Sequence, residues 1–253
     1  GLVGSEMCIR DSIYELNNQW SVYASYTDIF KPQTELTQDS TPLKPIEGSN
    51  YEVGLKGELM DGRVNTSFAI FRVDQENRAQ YDYASECGQN GEDNCYVDGG
   101  KVRAEGFDAE ISGEVLRGLQ LFAGYTYTST KFLNDPGDGT SSSGSTFNSY
   151  TPRHLLRFWG DYNLPGELSQ WTAGAGASIQ SENYNTNFGG TGGVGDIKQS
   201  GYAIWNARLG YQINKNFSVA LNGNNLFDKK YYSSIGWLNA SNQYGDPRNY
   251  TVT

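Results

Sequence analysis

Apolar and polar residues alternate singly along most of the chain. In residues 119–130, Leu119, Leu121, Ala123, Tyr125 and Tyr127 fall on one side, and Gln120, Phe122, Gly124, Thr126 and Thr128 on the other. A period of two is that of a β-strand, whose successive side chains point to opposite faces. The pattern recurs. Trp20, Val22, Ala24 and Tyr26 share a face, as do Tyr51, Val53, Leu55 and Leu59 opposite Glu52, Lys56 and Glu58. Phe107, Ala109, Ile111 and Val115 oppose Asp108, Glu110, Ser112 and Glu114, and Trp171, Ala173, Ala175, Ala177 and Ile179 oppose Thr172, Gly174, Gly176, Ser178 and Gln180. Residues 203–213 and 217–224 continue the alternation, and no segment has a convincing 3.6-residue period. The chain reads as all-β, with about ten strands.

The connections between these strands alternate in length. Residues 60–63, 117–118, 164–170 and 214–216 are short turns, whereas polar loops occupy about 33–48, 84–98, 134–149, 186–199 and 234–245. An antiparallel up-and-down meander with two unlike rims sorts its loops this way, as transmembrane barrels do. A Greek-key sandwich does not. Aromatic residues mark the ends of the apolar faces: Trp20 and Tyr26, Trp171, Tyr211 and Phe217. Bilayer interfaces favour such girdles. The expected fold is therefore an incomplete transmembrane β-barrel, with its apolar face toward lipid, its polar face toward the lumen and its long loops extracellular.

Composition narrows this reading. Hydrophobic residues make up 37% of the chain. That modest share fits strands that give every second position to a polar interior. The formal charge of -10 argues against a nucleic-acid partner, which favours a basic face. Residues 1–12, "GLVGSEMCIRDS", resemble a translated sequencing-library adapter and are set aside as an artefact, leaving 13–253 as one partial barrel. With the chain stopping in a strand at residues 248–253, both ends are expected to be truncated. Cys87 and Cys95 lie in a short polar loop and are expected to form a disulfide, which implies an oxidising compartment. A single histidine, His154, gives poor support to a zinc site.

Two stretches carry a specific resemblance. Residues 221–232, "LNGNNLFDKKYY", and 244–252, "YGDPRNYTV", resemble the C-terminal end of TonB-dependent outer-membrane receptors. Asn225, Leu226, Phe227 and Asp228 match the family's stretch near the end of the penultimate strand, and Gly245, Asp246, Pro247 and Arg248 match the start of the last one. Residues 26–33, 51–58, 106–114, 121–128 and 152–159 also resemble the family, most closely its ferric-siderophore subgroup taking hydroxamate-type or pyoverdine-like ligands. The resemblance implies a twenty-two-stranded barrel filled by an N-terminal plug. It also implies an outer-membrane location in a Gram-negative bacterium and energy-coupled import of an iron chelate driven by the inner-membrane TonB complex. Such a receptor is a monomer among lipids and uses no cofactor, iron being part of the cargo. The plug, the TonB box and the terminal aromatic residue are expected to lie outside this sequence.

No catalytic residues or resident metal ligands follow from that resemblance. His154 sits on the lipid-facing parity at a strand start, and nothing in the sequence places a carboxylate to orient it for nucleophilic catalysis. Ligand contacts are expected on the long-loop rim, where aromatic faces and a few donors suit a polar chelate with apolar linkers. The candidates are Trp237, Tyr244, Tyr231, Tyr232, Tyr184, Phe188 and Tyr150, with Phe147 beside them; Trp237 and Tyr244 are the leading pair. Lys229, Lys230, Arg153 and Arg157 offer charge to an anionic chelate, although the lumenal arginines are expected to pair with carboxylates such as Asp161. The alternative readings are a porin or adhesin-type barrel without a plug, and a soluble secreted β-domain that binds sugar.

Overall fold

The computed structural model describes residues 9–81, 95–134, 143–185, 197–236 and 242–253. Among them run β1 (Ile9–Glu15), β2 (Trp20–Lys31), β3 (Ile46–Leu59), β4 (Val64–Tyr81), β5 (Tyr96–Leu116), β6 (Leu119–Asn134), β7 (His154–Asn163), β8 (Trp171–Gln180), β9 (Asn183–Asn185), β10 (Ile197–Gln199), β11 (Tyr202–Gln212), β12 (Ser218–Asn224), β13 (Tyr232–Ser234), β14 (Gln243–Tyr244) and β15 (Asn249–Val252). Eleven of these form one antiparallel sheet in the order β1 to β8, β11, β12, β15. The pairs β9–β10 and β13–β14 are separate hairpins. The sheet is an unclosed meander.

The sheet has one strand more than the sequence pattern suggests. The additional strand is β1, which includes Ile9–Ser12 and pairs from Ile9↔Thr27 to Glu15↔Ser21. Its "IRDSIYE" sequence shows no clean alternation, because ladder hydrogen bonds come from the backbone and accept almost any side chain. Residues 1–8 lie outside the described residues.

Register carries the expected parity across the whole sheet. One row runs Tyr14, Val22, Leu55, Phe68, Ala109, Tyr125, Leu156, Ile179, Ala203. A second runs Leu119, Tyr162, Ala173, Leu209, Leu221, Val252. Shifted by one residue, the opposite face reads Ser21, Lys56, Ser67, Glu110, Gly124, Arg157, Ser178. Among the described residues, no core packs on the apolar face: Phe68 is 51% exposed and Ile70 64%. An apolar sheet face of this extent needs an apolar solvent.

Aromatic contacts mark both margins of that face. At the short-turn end, Trp171 lies 4.6 Å from Tyr211. Toward the long-loop end, Tyr26 meets Tyr51 at 5.1 Å, Phe107 meets Tyr127 at 5.9 Å and Tyr127 meets His154 at 4.9 Å. The His154 Nδ1 also shares a 2.7 Å hydrogen bond with the Tyr125 hydroxyl. β4, β5 and β6 continue above this belt, their total lengths being 18, 21 and 16 residues, against the ~10 needed to cross a bilayer. There the outward face becomes charged. Asp74 accepts from Arg103 at 2.6 Å and from Arg72 at 2.9 Å, Lys101 pairs with Glu76 at 2.8 Å and Lys131 with Glu105 at 3.2 Å.

Candidate functional site

Among the described residues, three segments after β6 build one side of the long-loop rim. Residues 146–151 are shaped by Asn148, whose Oδ1 accepts the Tyr150 and Thr151 amides at 3.1 and 3.2 Å. The β9–β10 hairpin sits beside them and presents buried amides. Asn183 Nδ2 donates to the Tyr150 carbonyl at 2.7 Å, and the Tyr184 amide donates to the Ser149 carbonyl at 2.9 Å. On its other flank, Asn185 Nδ2 donates to the Gly236 carbonyl, and Gln199 Oε1 accepts the Tyr232 amide at 2.9 Å. Asn183, Asn185 and Gln199 are each buried. Their side-chain amides replace the ladder bonds that three-residue strands are too short to supply.

The third segment, residues 229–248, carries most of the expected aromatic residues. Tyr232 and Tyr244 stack at 4.7 Å with 28° between ring planes, and their hydroxyls lie 3.3 Å apart. Tyr244 is 72% exposed. The hydrogen bond to Tyr244, more than any other cause, raises the pKa of Tyr232 above the ordinary tyrosine value. Tyr231 faces inward instead, 4.7 Å from Tyr202. A Cβ at Gly245 would overlap the Tyr231 ring, so only glycine fits there. Tyr150 is half-exposed and Tyr184 half-buried at the first segment. Trp237 and Phe188 lie outside the described residues, and the structure pairs Tyr244 with Tyr232.

The motif residues hold this segment onto the sheet. Asn225 is 3% exposed with φ 49. Its Nδ2 donates to the carbonyls of Lys229 (2.9 Å) and Asp246 (3.0 Å), its Oδ1 accepts the Lys229 amide (2.8 Å), and its own amide donates to Asn206 Oδ1 (3.0 Å). Asp228 Oδ1 accepts the Arg248 amide at 3.0 Å. Leu226 lies against Gly223, and Phe227 packs edge-on to Trp205 at 6.4 Å. Asn225 and Asp228 thus join the end of β12 to the start of β15. Gly245, Asp246 and Pro247 form the intervening approach.

The lumenal arginines do not follow the expected pairing. Asp161 accepts the Trp159 indole N–H, and Arg153 donates to Thr146 Oγ1 at 3.3 Å. Among the described residues, no ion pair involves Arg153, Arg157 or Asp161. Arg157 and Asp161 are four residues apart on one strand, a separation of ~13 Å along an extended chain. Register sets Gly124 and Ser178 beside Arg157. Cys95 is buried and disulfide-bonded, while Cys87 lies outside the described residues.

Sequence reasoning missed Arg78, in the last part of β4. Its guanidinium carbon sits 4.7 Å from the centre of the Phe147 ring, and Phe147 meets Phe132 edge-on at 5.3 Å. Burial lowers its pKa from the usual arginine value. Nothing local in "DQENRAQ" (74–80) singles it out.

Comparison with known proteins defines the class. The family model for the TonB dependent receptor-like β-barrel matches residues 12–226, and the chain belongs to that family. It is part of an outer-membrane β-barrel. More particularly, it is 52% identical over 243 residues to the ferric-pyoverdine M114 receptor PbuA of Pseudomonas sp. (strain M114), covering 95% of this chain and 28% of that protein. The ferripyoverdine receptor of Pseudomonas aeruginosa is 38% identical over 242 residues, covering 94% of this chain and 28% of the relative. The crystal structure of the outer-membrane ferripyoverdine receptor of Pseudomonas aeruginosa bound to ferripyoverdine superposes with a TM-score of 0.85 at 36% identity, over 96% of this chain and 32% of that one. The chain therefore spans less than a third of the length of these relatives.

Proposed function

We propose that this chain is the C-terminal wall of a TonB-dependent receptor that imports a ferric siderophore of the pyoverdine kind. The observation that carries the reading is likeness along nearly the whole chain, in sequence and in backbone structure, to receptors named for ferripyoverdine. The whole receptor works as a monomer, with a plug in the lumen and the inner-membrane TonB complex supplying energy. It binds the chelate with rim aromatics, Trp237 and Tyr244 foremost, joined by Tyr232, Tyr231, Tyr184, Phe188 and Tyr150. Cys87 and Cys95 staple the 82–95 loop.

Stacked, exposed tyrosines suit this task, because they offer flat apolar area and hydroxyl donors at little entropic cost. The test is ferripyoverdine binding to the full-length receptor, read by quenching of intrinsic fluorescence. Saturable binding that weakens in the Trp237→Ala/Tyr244→Ala double variant is expected. A receptor that does not bind ferripyoverdine overturns the function; unchanged affinity in the double variant overturns the assignment of that pair.

A further inference from the structure

Strand β4 pairs with β5 without a break up to Gln75, and the register then shifts twice, between Gln75 and Arg78 and between Arg78 and Gln80. Gln75 pairs with Val102 and Arg78 with Gly100, so Glu76 and Asn77 together oppose Lys101. Asn77 is the surplus residue, in the left-handed region at φ 60, which asparagine tolerates better than most side chains. Without this bulge, position 78 would share the outward parity of Arg72, Asp74 and Glu76. With it, Arg78 turns to the lumenal side, where its Nη1 donates to Gln75 Oε1 at 2.9 Å.

The bulge is held from outside the strand. Gln33, from the loop after β2, donates through Nε2 to the Asn77 carbonyl at 2.6 Å and accepts the Ala79 amide through Oε1 at 3.0 Å. Asn77 Nδ2 reaches the Pro45 carbonyl at 3.3 Å. A backbone fault braced in this way re-aims one side chain, the use to which bulges beside binding sites are put.

Among the described residues, the re-aimed cation has no anionic partner. Arg72, Lys101, Arg103 and Lys131, on the outward face of the same extension, each meet a carboxylate. Arg78 is half-buried, and among the described residues no carboxylate lies within ion-pair distance of it. Its guanidinium lies over the Phe147 ring, and among the described residues its only hydrogen bond is the one to Gln75, which leaves N–H groups that can donate to a carboxylate or another bidentate anion.

We infer that Arg78 is an anion-binding residue of the upper lumen that takes an anionic oxygen of the ferric chelate. The inference rests on the siderophore reading above and adds to it the residue that selects for charge. The experiment measures ferripyoverdine affinity in the full-length receptor for wild type, Arg78→Ala, Arg78→Gln and Arg78→Lys. The expected result is roughly 10- to 100-fold weaker binding for Ala and Gln, the range for one lost charge-assisted hydrogen bond, with Lys, which keeps the charge but not the planar fork, falling between them and wild type. Affinity in Arg78→Ala within about twofold of wild type overturns the inference and leaves the siderophore reading standing. Affinity in Arg78→Gln within about twofold of wild type overturns it too, since charge would then not be at stake. If wild type binds no ferripyoverdine, both fall together.

Discussion

The two halves of the sheet build their extracellular ends by different means. In β4 to β6 the strands themselves continue above the membrane, and the extension is held by ladder hydrogen bonds and by ion pairs centred on Asp74. From β7 onward the strands are short, ten residues in β7 and β8 and seven in β12. The rim there is a cluster of small hairpins, clamped by buried Asn and Gln amides and by tyrosine packing. The first design is periodic and tolerant, because each contact is one of many similar ones. The second depends on a few non-local bonds, and removing one leaves a buried polar partner unsatisfied.

That difference sets an order of sensitivity to substitution. The largest effect is expected for Asn225→Ala, which removes three side-chain hydrogen bonds and places alanine at positive φ. The full-length receptor should lose roughly 2–4 kcal/mol, read from the denaturant midpoint in micelles. Asn225→Gly should recover only the backbone part. Next come Asn185→Ala and Gln199→Ala, each expected to cost about 1–2 kcal/mol locally and to raise protease cleavage within 229–248 without moving global unfolding. Arg103→Ala should cost less than about 1 kcal/mol, because partly exposed ion pairs contribute little. An effect as large as that of Asn225→Ala would erase the distinction between the halves.

The smallest effect concerns pH. Because its hydrogen bond to Tyr244 raises the pKa of Tyr232, the stacked pair favours the folded rim below the ordinary tyrosine pKa. That contribution is lost as pH rises through the raised value. Tyr244→Phe should therefore lower the Tyr232 pKa toward the ordinary value, as followed by NMR of ring-labelled tyrosine. No change would mean that the pair is not hydrogen-bonded in solution.

The main strands of both halves are legible in the sequence, but the small hairpins of the second half are not. Alternation along residues 107–115 and 119–127 identifies β5, β6 and the face that each side chain joins, since a period of two is a local signal. Short turns such as 117–118 and the long loops after Lys31 and Gln180 fix the meander. The three-residue hairpins are not legible, because what stabilises them is Asn183 reaching Tyr150 and Asn185 reaching Gly236. Arg78 is hidden for the opposite reason. Simple alternation assigns it to the outward face, and one bulged residue reverses that. The motif at 225–228 is visible as a string, but its role in tying β12 to β15 emerges only from the hydrogen bonds of Asn225 and Asp228.

The most direct test of the account is which solvent each face of β8 meets. Single cysteines at Ala173, Ala175 and Ala177, and at Thr172 and Ser178, can be spin-labelled in the full-length receptor in liposomes. Collision with oxygen, enriched in lipid, is then compared with collision with a water-soluble nickel chelate. The account requires labels at 173, 175 and 177 to favour oxygen and those at 172 and 178 to be shielded from lipid. Equal oxygen access at both sets, or the reverse pattern, would contradict the lipid-facing sheet on which the rest depends.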